Sequence, residues 1–91
     1  MNKLGIGCFV EAQAGHDAGK CYVIFQMDEE YVYLVDGKIK TLKNPKKKKI
    51  KHIKILQQFD QSLMEKMKEQ TVRDEEIKRA IKLLNYSKLS L

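Results

Sequence analysis

Seven lysines fall within twelve residues: Lys43, Lys46, Lys47, Lys48, Lys49, Lys51 and Lys54, in the segment KNPKKKKIKHIK. A lysine ammonium is a compact point charge that suits a phosphate oxygen, whereas the planar fork of arginine suits a base edge. Of the 18 basic residues only Arg73 and Arg79 are arginine, so the charge favours backbone or shape recognition over sequence reading. No acid lies between residues 38 and 59. The run therefore has no local partner, and its self-repulsion would be relieved by a polyanion, with release of bound counterions. The same run also fits a solvated loop or a nuclear address tract.

Other side chains could extend such a surface. Lys38 and Lys40 alternate with Ile39 and should point outward together. Tyr31 and Tyr33 share one strand face opposite Val32 and Leu34. Beside lysines, exposed tyrosines can stack unpaired bases; alternatively they cover the core edge or pack on the C-terminal helices. His16, in a loop, and His52, between Lys51 and Ile53, could each bond a phosphate or sugar hydroxyl. Asp17 reads as a turn-former bonding its own backbone.

Catalytic chemistry is not indicated. No serine, cysteine or threonine has a base and orienter in evident reach, and no GxxxxGK[ST] loop is present. Asp28, Glu29 and Glu30 form a polar turn, and Asp74, Glu75 and Glu76 open a helix as its dipole prefers. Cys8 and Cys21 with two histidines match neither a zinc site nor a disulfide framework, and both cysteines read as small core residues. The expectation is a non-enzyme without metal or cofactor.

These residues need a scaffold, and 91 residues with 43% hydrophobic content suffice for one. The net charge is +6 and the pI near 9.3, which favours nucleic acid or an acidic membrane surface as partner. The charge is unevenly spread. Residues 1–37 hold two lysines against six acids, residues 38–59 nine lysines and no acid, and residues 60–91 seven bases against six acids. The start, MNKLGIGCFVEAQAG, does not read as a signal peptide, and no apolar run is long enough to span a membrane. A membrane-surface role ranks last, for want of a lipidation site or an aromatic-anchored amphipathic helix.

Residues 7–56 read as five short strands. They are GCFVEAQ (7–13), KCYVIFQM (20–27), YVYLV (31–35), KIKTL (38–42) and IKHIKIL (50–56). Residues 14–19, AGHDAG, are a turn, and Asp36-Gly37 predicts a tight type I′ hairpin. Pairing Gln13 with Lys20 would place Cys8, Val10, Ala12, Cys21, Val23 and Phe25 on one buried face. From residue 60 the period becomes helical. DQSLMEKMKEQ (60–70) is a short helix with Asp60 as N-cap, and RDEEIKRAIKLLN (73–85) a second, stopping near Asn85 with YSKLSL fraying after it. Five short strands joined by tight turns suggest a small barrel, and Met64 and Met67 are expected to pack against it rather than form an adaptable binding face.

The run Val10-Glu11-Ala12-Gln13-Ala14-Gly15-His16-Asp17-Ala18-Gly19-Lys20-Cys21-Tyr22-Val23-Ile24 resembles a KOW motif: strand, glycine-containing loop, strand. With DEEYVYLVDGKIK (28–40) and NPKKKKIKHIKIL (44–56), the likeness covers roughly residues 5–56. It is similar to the short bacterial KOW-domain proteins and to archaeal and eukaryotic large-subunit ribosomal proteins of the same barrel. The resemblance implies a mainly β, five-stranded SH3-like barrel over residues 1–58, with residues 59–91 as a helical extension packed on it or tethered to it. It implies RNA binding, usually to ribosomal RNA, through the loop that includes Gly15, His16 and Lys20; the expected protein is cytoplasmic and, when free, a monomer. The family often has bases where His16 and Ala18 stand here, so the lysine segment would carry more of the affinity. The same barrel also binds proteins in transcription and translation factors, which sets the competing expectation of a protein-interaction module.

Overall fold

The computed structural model describes residues 4–89, with side chains described as far as residue 86. The first residues of the expected 1–58 unit and the last two of the expected fraying tail lie outside that range. Five strands form one antiparallel sheet: β1 (Phe9–Ala12), β2 (Cys21–Met27), β3 (Tyr31–Val35), β4 (Lys46–Lys49) and β5 (Ile53–Ile55). They lie in the order β4-β3-β2-β1-β5. Two helices follow, α1 (Gln61–Glu69) and α2 (Asp74–Leu89).

The sheet buries both faces. Phe9, Cys21, Val23 and Val35 meet Leu63 and Met67 of α1 and Ile77, Ala80, Ile81 and Leu84 of α2. On the other face Val10, Ala12, Tyr22, Ile24, Val32 and Leu34 form a second core, edged by Leu4, Cys8, Met27, Ile50 and Ile53. Among the described side chains neither α1 nor α2 contributes to this second core, so the sheet itself curls over it. The two edge strands, β4 and β5, are separated only by the 3-10 turn Ile50–His52. No ladder joins them among the described strands, and the sheet is open at that seam rather than a closed barrel.

The first hairpin is offset by one residue from the expected register. Phe9 pairs with Val23, Val10 with Tyr22 and Glu11 with Cys21. A one-residue slip exchanges faces, so the single expected face divides between two cores. Alternation selects a register only when one face is wet, and here both are dry. The slip brings Phe9 under the helices and Tyr22 into the inner core, where two large rings are buried that the other register would expose.

The expected strand 38–42 is not one. The Asp36 carboxylate accepts the backbone N–H groups of Lys38, Ile39 and Lys40 at 2.8–3.0 Å and folds the chain back on itself. Gly37, at φ +76°, lies against α2, where a Cβ would overlap the Asp74 carbonyl and the Lys78 amide. The Asp74 carboxylate in turn accepts from the Leu42 amide at 2.9 Å. With residues 36–45 spent on this docking loop, the return strand is the lysine run itself. The expected fifth strand shortens to Ile53–Ile55, because Ile50–His52 turn the corner.

Helix α1 starts as expected: the Asp60 side chain accepts from the Leu63 amide at 3.0 Å. It ends at Gln70, held in the left-handed region at φ 61°. Helix α2 runs through Asn85 to Leu89 rather than stopping there, since asparagine has only a mild cost inside a helix when no glycine or proline follows. Met67 is buried as expected, and Met64 lies against Gly7, whose hypothetical Cβ would meet it at 3.0 Å.

Candidate nucleic-acid interface

The lysine run is a strand, so its side chains alternate between two environments. Lys46 and Lys48 are half-buried, while Lys47 and Lys49 are exposed. Lys46 makes an ion pair with Asp17, and Lys48 Nζ donates to the Ala14 carbonyl at 2.9 Å. These two lysines therefore clamp the loop containing the 3-10 turn Gly15–Asp17 against the edge of the sheet. The Lys46 ammonium holds the Asp17 carboxyl below its ordinary value, with Lys48 and Lys20 adding to the effect against partial burial. Asp17 thus pairs across the fold instead of forming the expected local turn. Behind it, burial, and then the nearby Asp17 and Asp36 carboxylates, push the Tyr22 phenol up to about 12.

Lys47 and Lys49 lie across from β3. Tyr31 pairs with Lys49 and Tyr33 with Lys47. The Lys47 ammonium sits 4.3 Å from the Tyr31 ring centroid, a cation–π contact. Val32 and Leu34 are fully buried while Tyr31 and Tyr33 are half-exposed, as the alternation predicts. Two lysines and two tyrosines therefore form one accessible face at the β3–β4 edge of the sheet.

A β-bulge extends this face. Ile24 pairs with Leu34 and Gln26 with Tyr33, leaving Phe25 as an extra residue on β2. Ile24 and Met27 both face the inner core, so Phe25 and Gln26 both turn to the helix side. Lys47, Tyr33 and Gln26 thus stand in one row across three strands. Phe25 and Gln26 also line a pocket of about 250 Å³ with Leu42, Gln70 and Val72. It is smaller than the roughly 300–1,000 Å³ of typical ligand pockets and has room for one group.

The other expected contacts are dispersed. Gly15, His16 and Lys20 are exposed on the clamped loop. Lys38 and Lys43 are exposed and Lys40 half-buried on the loop docked to α2. Lys51 shares a shallow groove with Lys49, Ile50 and the acids Glu29 and Glu30. His52 is half-buried, and its carbonyl accepts from the Gln13 amide at 2.8 Å. Lys54 is exposed on β5, at the opposite edge, across from Glu11. Phe25, Gln26 and Gln70 were not legible as site residues, because a bulge and a left-handed cap bring them together.

Among the described residues, no cluster of histidine, cysteine or acidic side chains could hold a metal ion, and no helix is long and apolar enough to cross a membrane. No protein-family model and no curated protein matches the chain.

Proposed function

We propose that this chain is an RNA-binding protein of the translation machinery, docking the phosphate backbone of structured, ribosomal RNA with Lys47 and Lys49 beside Tyr31 and Tyr33. The carrying observation is that the lysine run presents alternate charges, Lys47 and Lys49, beside two half-exposed tyrosines. Strand order β4-β3-β2-β1-β5, with a 3-10 turn between the outer strands, supports reading the curled sheet as an SH3-like barrel of the KOW type. In that reading the protein is a non-enzymatic cytoplasmic binder, and the clamped loop with His16 and Lys20 adds shape fit.

Cosedimentation with ribosomal subunits and with isolated structured RNA over a salt series tests it. Lys47→Ser/Lys49→Ser should weaken binding and lower the log–log salt slope by about 1.4–1.8, at roughly 0.7–0.9 per phosphate. An unchanged slope in that variant refutes this docking surface.

A second reading has its own observation. Phe59 and Leu83 are 61% and 59% exposed and line one groove with Phe9, Ala80 and Leu84. Asp60, Lys66, Glu76 and Arg79 border the adjoining groove, so charges of both signs edge an apolar strip that suits an apolar protein segment. This reading expects a complex that survives nuclease and high salt and is lost in Leu83→Glu.

A further inference from the structure

We infer that the β2–β3–β4 face takes single-stranded rather than duplex RNA, with one unpaired base entering the pocket between Gln26 and Gln70. The inference rests on the RNA-binding reading and names its substrate. Three features of the face carry it.

The first is the pocket's chemistry. Its lining is Phe25, Gln26, Leu42, Gln70 and Val72, with no charged residue. A phosphate has no counter-charge there, whereas a flat heteroaromatic ring has apolar walls. The two carboxamides each supply donors and an acceptor, the groups that pair with a base edge. Such edges and ring faces are open only when a base is unpaired.

The second is spacing. Tyr31 and Tyr33 are two residues apart on β3, a rise of about 6.6 Å. That is about twice the 3.4 Å between stacked duplex bases. Neighbouring bases resting on both rings must be spread apart.

The third is alignment. The row Lys47–Tyr33–Gln26 crosses three adjacent strands, about 4.8 Å apart. It leads from a phosphate contact, over an aromatic surface, to the pocket mouth. The bulge at Phe25 produces this row, since a regular β2 would have only one of Phe25 and Gln26 on this side. Bulges re-aim side chains in this way beside functional sites. The ammonium of Lys47, which lies over Tyr31 in the free protein, would move to the backbone when a base takes its place.

Fluorescence anisotropy of the full chain tests this, using labelled eight-nucleotide homopolymers of A, C and U and an RNA hairpin duplex of equal phosphate count, at matched salt. Single strands should bind about tenfold tighter than the hairpin, in the range of one base–aromatic stack. Tyr33→Ala should weaken the single strands more than the hairpin and so remove that preference. Gln26→Ala and, separately, Gln70→Gly, which suits the left-handed backbone there, should alter the rank order among homopolymers without changing the salt slope. Equal or tighter binding of the hairpin overturns the inference while leaving RNA binding intact. A rank order untouched by both glutamine variants removes the base from the pocket. No binding of any probe at low salt refutes the RNA-binding reading itself.

Discussion

Four identical residues in a row do two different things here. Lys46 and Lys48 hold a loop, and Lys47 and Lys49 face solvent. Lys46→Ser should therefore cost about 0.5–1 kcal/mol, the scale of a partly exposed ion pair, while Lys49→Ser leaves the urea midpoint within error. The Lys46 contribution is tied to ionised Asp17. The folded carboxyl titrates lower than the unfolded one, so the stabilisation is present above about pH 3.9 and is lost as pH falls through the lower folded value. The difference in melting temperature between the parent and Lys46→Ser should then shrink on acidification below about pH 4. Tyr22 behaves in the opposite sense. Its phenol is held protonated up to about 12 against an ordinary 10.0. Its contribution is complete below about pH 10 and declines as pH rises toward 12, and Tyr22→Phe should flatten that alkaline loss. The division of labour among the lysines was not legible in the sequence. No acid lies near the lysines along the chain, but the partner of Lys46 is Asp17, which the fold of the loop brings across.

At the level of elements, the segments that sequence located well are those in which one side chain decides the outcome. The start of α1 depends on Asp60, and β3 shows its alternation in YVYLV directly. The failures came where tertiary contact decided. The register of the first hairpin could not be read, because GCFVEAQ has apolar residues at both parities and both faces are covered. The loop after β3 could not be read, because its conformation depends on Gly37 meeting α2 some 37 residues further on. Gly37→Ala adds a Cβ both at φ +76° and against helix backbone. It should destabilise by more than about 2 kcal/mol in denaturant titration. Gln70→Gly should do the reverse, stabilising by about 1 kcal/mol, because a left-handed residue without a Cβ carries no such strain. The base-pocket proposal depends on Gln70 as well, so this variant separates stability from binding in one protein.

In the whole molecule, the helices are part of the core and not a tethered tail. Six buried side chains of α1 and α2 cover Phe9, Cys21, Val23 and Val35, and the Lys66–Glu76 ion pair ties the helices to each other. Removal of residues 60–91 should leave a sheet with one large apolar face in water, and heat denaturation of that fragment should lose its cooperative transition. The sequence left open whether these helices dock, because a helical stripe shows that a face will be buried and not against what. The strand of lysines carries a further consequence. Four identical side chains contain no information about their own alignment, since sliding the run by one position presents β3 with the same chemistry. Its frame must therefore be supplied by what flanks it: Pro45, which offers no amide, and Ile50, whose amide bonds the Glu30 carbonyl at 3.0 Å and whose side chain meets the inner core. Losing or gaining a single lysine within the run would leave the composition almost unchanged and yet exchange the anchoring and displayed positions. In this strand the count of residues carries the message, and their identity does not.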